Sequence, residues 1–191
     1  MQKIFTDVFD NYFSTRAKLG GVAKVVRSPD QNALLTEIPE LLRKYLKARN
    51  KLYLYTVTGS IGKGNIARVP WVGLFRHGIT NNAEYGYYIV LLFSEDMSSC
   101  YLSLNQGITS IERLCTKSFA LKKMRESAKR ALTYLEGDPE AWNGSIDLKS
   151  SGDLGRSYEA AAIISFKYSR SDIPTEKTFF QNLDYLLVQY E

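Results

Sequence analysis

The chain has 191 residues, of which 45% are hydrophobic, so it is long enough to bury a sizeable core without disulfide or metal staples. No apolar run approaches the roughly 20 residues of a membrane span, and the N-terminus does not resemble a signal peptide, which predicts a cytoplasmic protein with no membrane partner. The formal net charge of +5 favours a polyanionic partner without requiring one.

The first quarter of the chain is predicted to be helical. Apolar residues at helical spacing form one continuous stripe over residues 2–16, which predicts a packed helix. The stripe consists of Ile4, Phe5, Val8, Phe9, Tyr12 and Phe13. A second helix is predicted over about residues 31–48, and Pro39 marks either its beginning or a kink.

Four strands are predicted to follow, in which aromatic and β-branched residues are frequent. They cover residues 52–58, 66–76, 85–93 and 99–105, and short turn-forming segments separate them. Such short connections predict an antiparallel meander.

The last part of the chain mixes helical and extended patterns. A long helix is predicted from Thr109 to about Leu135, where Gly137-Asp138-Pro139 stops it. Residues 143–156 are rich in Gly, Ser and Asp and predict a loop, whereas residues 158–168 fit either a strand or a helix.

A closing amphipathic helix is predicted over residues 175–190, after Pro174. The chain contains no internal repeat and no long linker. We therefore predict a single domain over residues 1–191 of the α+β class, in which a central, mostly antiparallel, curved β-sheet is flanked by α-helices.

The residues that usually carry catalysis or bind metals are sparse. Cys100 and Cys115 form no CxxC pair and are predicted to be reduced thiols, and the one histidine, His77, falls in a turn between strands. We therefore predict no metal site and no catalytic residue. Asp138 with Asp147-Leu148-Lys149 loosely fits the spelling of a metal-dependent nuclease, which leaves that activity as an alternative.

The segment GSIGKGN, residues 59–65, superficially suggests a nucleotide-binding loop. A Walker loop would require Gly at position 57 and Ser or Thr after Lys63, whereas the chain has Val57 and Gly64. A dinucleotide-binding loop would lead into a helix, but here Val-Pro-Trp and a strand follow. We therefore predict no nucleotide cofactor.

The same segment favours nucleic-acid binding, because glycines allow close backbone approach, Lys63 supplies charge and the strands that follow are rich in rings that stack on bases. Tyr87 and Tyr88 must face opposite sides of a strand, so one of them is expected to leave the core side. Aromatic residues also favour strands for structural reasons alone. Basic clusters accompany the loop at Arg16, Lys18, Lys24 and Arg27, at Arg43, Lys44, Lys47, Arg49 and Lys51, and at Lys117, Lys122, Lys123, Arg125, Lys129 and Arg130.

The order of these motifs resembles that of a known family. The motifs are residues 59–65, then Val69-Pro70-Trp71, then residues 85–93 and 101–107, and finally residues 158–163. Together they resemble the MrcB-like N-terminal domains, the family that includes the DNA-binding domains of McrB-type modification-dependent restriction proteins. The resemblance spans most of the chain.

The resemblance implies a non-catalytic specificity module that binds double-stranded DNA and flips a modified, methylcytosine-type base into an aromatic pocket. It also implies a GTPase motor or a nuclease as a further segment or subunit, while a protein-interaction domain of a restriction complex remains an alternative. The predicted DNA contacts are Ser60, Gly62, Lys63, Gly64, Asn65, Arg68, Lys24 and Arg27, and the predicted base pocket consists of Trp71, Tyr87 and Tyr88.

One position departs from the family's pattern, which has tyrosine where this chain has Lys63. A lysine does not stack on a base as a tyrosine does, so the pocket wall would come from Tyr87 or Tyr88. Lys63 would instead insert into a groove or hold a flanking phosphate.

Overall fold

A five-stranded antiparallel sheet organises the chain, of which the computed structural model describes residues 1–137 and 145–191. The strands follow one another in the sheet in the order of the sequence, and the sheet is open. They are β1 (Tyr55–Ser60), β2 (Trp71–Arg76), β3 (Tyr87–Phe93), β4 (Ser99–Gln106) and β5 (Ala162–Ser169). This arrangement confirms the predicted α+β class and the predicted meander.

Helices cover both faces of this sheet. They are α1 (Gln2–Lys18), α2 (Pro29–Asn32), α3 (Ile38–Ala48), α4 (Thr109–Glu112), α5 (Lys117–Leu132), α6 (Asp153–Ala161) and α7 (Glu176–Tyr190). In the part of the chain that the structure describes, no helix combines the length and the apolar character that crossing a membrane requires.

A π-helical turn, Ala33–Glu37, joins α2 to α3 and explains how the chain accommodates Pro39 inside a helical segment. Proline has no N–H to donate to the preceding turn. The backbone widens just before it, so that Ile38 donates its N–H to the carbonyl of Ala33, five residues back.

Several predicted boundaries are wrong. Residues 52–54 form a 3-10 turn, residues 66–70 lie outside β2, and the predicted long helix is interrupted between α4 and α5, where Thr116 is extended. Residues 158–168 contain both predicted structures, because α6 runs directly into β5. Phe13 is 57% exposed and lies outside the buried stripe of α1, which continues from Tyr12 to Thr15. Asp138 and Pro139, predicted to stop a helix, lie outside the described residues.

The main core lies between one face of the sheet and helices α1, α3 and α7. On β3 the alternate residues Ile89, Leu91 and Phe93 point into it and are completely buried. The ring of Phe93 meets those of Phe5 and Phe9 edge-on, with centroids 5.9 and 5.3 Å apart. Because side chains alternate along a strand, this packing also determines which residues of each strand point to the other face of the sheet.

A second, smaller core covers the other face of the sheet. Tyr88, Val90 and Leu92 of β3 face it, together with Phe75 of β2 and Tyr101 of β4. Residues 145–152 and helix α6 close over this face and bury Ile146, Leu148 and Tyr158. The cover stops short of β1 and the first half of β2, and a cleft opens there.

Candidate nucleic-acid interface

The glycine loop after β1 is a tight turn, and its first bend, at Gly62, accommodates only glycine. Gly62 has a φ of 104°, and a Cβ there would lie 2.1 Å from the carbonyl oxygen of Asn65. The Ser60 hydroxyl accepts the N–H of Gly62 at 3.2 Å, and Ala67 donates to the Ile61 carbonyl at 2.7 Å. These bonds hold Lys63 exposed at the tip of the loop.

A second glycine segment, Gly20–Gly21, lies against this loop. Ala23 donates its N–H to the carbonyl of Gly64, and Ile66 donates to the carbonyl of Gly21, both at 2.8 Å. The two segments therefore form a short antiparallel pair. The exposed residues Lys24 and Arg27 follow Gly21 in the first of these segments. The sequence did not predict this pairing.

A cleft of about 640 Å³ lies beside the glycine loop. Its walls are the loop itself, the cleft-facing residues of β1 and β2, the turn Asn81–Glu84 and residues 150–155 with Tyr158. Of the residues predicted to contact DNA or form the base pocket, those that line it are Ser60, Gly62, Lys63, Asn65, Arg68 and Trp71. Gly64, Lys24 and Arg27 lie outside its lining.

The aromatic residues that line this cleft are Trp71, Phe75 and Tyr158, and aliphatic residues such as Ile66, Val69 and Leu154 complete its apolar lining. Trp71 is half-buried and meets Phe75 edge-on, with centroids 6.1 Å apart. Gly73 lies between them on β2, and a Cβ there would come 2.7 Å from the Phe75 ring. A bare backbone position therefore allows the two rings to approach each other.

The side chain of Trp71 lies close enough to the hydroxyl of Tyr158 to lower the pKa of that hydroxyl. Burial outweighs this influence and raises the pKa of Tyr158 to about 12. The hydroxyl is therefore neutral at physiological pH, and it lies beside the indole at the wall of the cleft.

Tyr87 and Tyr88 face opposite sides of β3, as alternation predicts, but neither lines the cleft. Tyr88 is 1% exposed and packs behind Phe75, with ring centroids 5.5 Å apart, and burial raises its pKa well above the usual range. Tyr87 lies on the far side of the sheet, where its carbonyl accepts from the Tyr190 hydroxyl. In this structure the aromatic wall beside Trp71 comes from Phe75 and Tyr158, which sequence reasoning missed.

Arg68 lies at the rim of the cleft and is held by Glu95. Its guanidinium donates to the Glu95 carboxylate at 2.9 Å and to the Ser151 hydroxyl, while Arg16 approaches the same carboxylate at 3.5 Å. Although burial opposes it, hydrogen bonds from Ser150, Ser151 and Arg68 hold the pKa of Glu95 below its usual range. Arg68 nevertheless keeps a side-chain exposure of 57%, so the guanidinium remains accessible to a ligand.

The side chains that were considered for nuclease, metal-binding or nucleophilic chemistry do not line the cleft: Asp147, Lys149, His77 and Cys100. The hydrogen bond from Lys149 holds the pKa of Asp147 below its usual range, and Asp138 is outside the described residues. Over residues 1–137 and 145–191, no three His, Cys, Asp or Glu side chains come together in a metal-binding group. His77 shares a hydrogen bond of 3.0 Å with the Thr56 hydroxyl, and burial raises the pKa of Cys100.

Comparison with known proteins agrees with the motif order. The sequence model of the family described as MrcB-like, N-terminal domain matches residues 17–191, a range that includes the whole sheet and every residue that lines the cleft. No curated protein matches the chain.

Proposed function

Because this chain belongs to the MrcB-like N-terminal domain family, we propose that it is the DNA-reading module of a restriction system and recognises a modified, methylcytosine-type base in double-stranded DNA. In this proposal the chain is non-catalytic and needs no cofactor. Cleavage or translocation of the DNA would come from a GTPase motor or a nuclease on another segment or subunit.

The observation that carries the proposal is the juxtaposition of an aromatic wall and an exposed cationic loop in one cleft. Trp71 offers a partly exposed ring of the kind on which bases stack, and Phe75 and Tyr158, which are 1% and 6% exposed, support it from within the wall. Lys63 and Arg68 line the same cleft within reach of a backbone phosphate. Proteins that read a flipped base combine these two features, because they hold the extruded nucleotide and its flanking phosphates together.

The polar lining of the cleft supports reading of the base edge. Ser60, Asn81 and Asn82 supply hydroxyl and amide groups that match the donors and acceptors on a base. Extruding a base costs a few kcal/mol of stacking and pairing, which stacking on the indole and contacts to these groups would offset.

A binding screen tests this function directly. Duplexes that carry cytosine, 5-methylcytosine, 5-hydroxymethylcytosine or N6-methyladenine at one position are titrated with the chain at fixed salt. We expect one modified duplex to bind at least tenfold more tightly than its unmodified counterpart, and equal binding of all four would contradict the proposed recognition of a modified base.

The variant Trp71→Ala locates the reading site. We expect it to lose this discrimination while it retains most of its affinity for unmodified duplex. The control is Tyr53→Ala, since Tyr53 is 73% exposed and lies outside the cleft. Equal loss of both kinds of binding in Trp71→Ala would show that the indole serves the structure of the domain rather than base recognition.

A further inference from the structure

The positive charge of this chain is concentrated on one helix. Helix α5 contains six cations and one carboxylate, Glu126, so its net charge equals the +5 of the whole sequence. The rest of the chain contains equal numbers of basic and acidic residues. The cations are Lys117, Lys122, Lys123, Arg125, Lys129 and Arg130.

These cations occupy the outer side of α5. The buried side consists of Ala120, Met124 and Ala128, which pack towards α6 and β5. At 3.6 residues per turn, the row formed by Lys122, Arg125 and Lys129 and the row formed by Lys123 and Arg130 both lie on the opposite side, and all five residues are exposed.

Few of these cations are neutralised within the chain. Among the described residues, Lys117 pairs with Asp153 at 3.0 Å and Lys123 pairs with Glu126 at 3.0 Å. In the same part of the chain, no ion pair involves Lys122, Arg125, Lys129 or Arg130. Like charges one turn apart on a helix repel each other, so this face is arranged at some cost to the isolated chain.

The helix begins at the cleft. Asp153, the partner of Lys117, is one of the residues that line the cleft, and α6 carries the lining residue Tyr158. From Lys117 the helix extends roughly 24 Å, at about 1.5 Å per residue. This is shorter than one turn of duplex, about 34 Å, so a duplex that enters the cleft and follows α5 would place its phosphates beside these cations within a single turn.

We infer that the outer face of α5 is the surface that binds the phosphates of duplex DNA, and that it supplies most of the electrostatic affinity, whereas the cleft supplies base discrimination. The inference rests on the proposed function. Duplex DNA fits this face better than a lipid surface does, because a membrane-binding helix presents a continuous row of apolar residues to lipid. On α5, Ala120, Met124 and Ala128 are packed against the domain, and Phe119, the large apolar side chain that is exposed within residues 117–132, has the Lys123 ammonium 5.4 Å from its ring centroid.

The test replaces charge at matched positions. Lys122→Gln/Arg125→Gln/Lys129→Gln removes three charges from α5, and Lys3→Gln/Lys167→Gln/Lys177→Gln removes three exposed charges from α1, β5 and α7, outside the basic clusters. Affinity for the preferred modified duplex and its unmodified counterpart is measured from low to moderate salt. Thermal unfolding verifies that both variants are folded.

We expect the α5 variant to bind both duplexes at least tenfold more weakly at low salt, and its slope of log affinity against log salt to fall by about 2.7, as the loss of three phosphate contacts requires. The ratio of the two affinities should not change, and the control variant should match the unmodified chain. If the α5 variant keeps the original slope, the inference is wrong while the proposed function stands.

Two other results bear on the inference. If the unmodified chain binds no duplex, the proposed function fails and the inference fails with it. If the chain binds vesicles of anionic lipid through the α5 cations but shows no salt-dependent affinity for duplex, the outer face of α5 binds lipid headgroups rather than DNA, and the inference is overturned.

Discussion

The guanidinium of Arg68 donates to the carboxylate of Glu95 at 2.9 Å, and this contact joins elements that are distant in the sequence. Glu95 follows β3, Arg68 belongs to the segment that leads into β2, and the same carboxylate accepts from Ser150 and Ser151 near α6. Arg16, at the end of α1, adds a second cation. One carboxylate therefore sets the relative position of the cleft rim and the segment that covers the second core.

We expect Glu95→Gln to destabilise the domain by about 1–2 kcal/mol, because an amide keeps the shape of the side chain but loses the charge-assisted bonds. The control is Asp10→Asn, which removes an exposed pair with Arg170 and should cost well under about 1 kcal/mol. Urea unfolding at neutral pH measures both, and equal costs would contradict a special role for Glu95.

The same pair predicts a dependence on pH. The folded-state pKa of Glu95 lies below the usual 4.5, so the folded state binds fewer protons than the unfolded state through this group. Its contribution is therefore present above about pH 4.5 and is lost as the pH falls through the lower, folded-state pKa. The stability difference between the unmodified chain and Glu95→Gln should shrink towards pH 3, and a constant difference would contradict this assignment.

Two glycines of the same loop should respond differently to alanine. At Gly62 the new Cβ meets backbone atoms at 2.1 and 2.7 Å, so Gly62→Ala should distort the loop and cost about 2–3 kcal/mol. Gly64→Ala is the control, since its φ of 78° is also strained but no atom lies within 4 Å, and about 1 kcal/mol is expected. Urea unfolding compares the two, and equal costs would show that the loop is free to move.

The hydroxyl of Tyr158 should matter for recognition more than for stability. Tyr158→Phe removes the hydroxyl that lies beside the Trp71 indole, and we expect a stability loss of about 1 kcal/mol together with weaker discrimination between modified and unmodified duplex. Tyr168→Phe removes a hydroxyl that accepts from Asn182 at 2.9 Å, outside the cleft, and should lower stability alone. Unchanged discrimination in Tyr158→Phe would mean that the indole holds its orientation without this hydroxyl.

Variants of Lys63 test whether the tip of the glycine loop contacts a phosphate or a base. Both Lys63→Gln and Lys63→Tyr should lower the salt slope of duplex binding by about 0.9, since each removes one phosphate contact. The tyrosine adds a ring at the mouth of the cleft, so it should bind the preferred modified duplex more tightly than the glutamine variant does, by about 1–3 kcal/mol of base stacking. Identical affinities of the two variants would place the flipped base away from position 63.

Local patterns in the sequence were sufficient for most of the fold. The stripe of α1, the run of strand-forming residues in β3 and the helix after Pro174 depend on neighbours only a few residues away, and each of these elements forms with ends shifted by one or two residues at most. Prediction was wrong at boundaries such as the break before α5 and the 3-10 turn before β1. There, propensity differs little between the alternatives, and tertiary packing decides between them.

The candidate site divides in the same way. The glycine loop and Trp71 are recognisable from residue type and order, because their chemistry is carried by a few consecutive residues. The contributions of the Tyr158 hydroxyl and the Glu95 carboxylate depend on contacts that span 87 and 27 residues, which the return of α6 and the sheet register create. Phe75 meets Trp71 on the same strand, and alternation along β2 places both rings on one face. Alternation alone places Tyr87 and Tyr88 on opposite faces of β3.

What the sequence by itself determined, then, is the type of most main elements, the family and the glycine loop that lines the candidate cleft. Only the tertiary structure decided which strand face borders the cleft, because both faces of this sheet are covered by apolar packing and the sequence pattern does not distinguish them. It also decided that Tyr88 supports the wall from behind rather than forming it, since the cover supplied by residues 145–152 and α6 ends at β2.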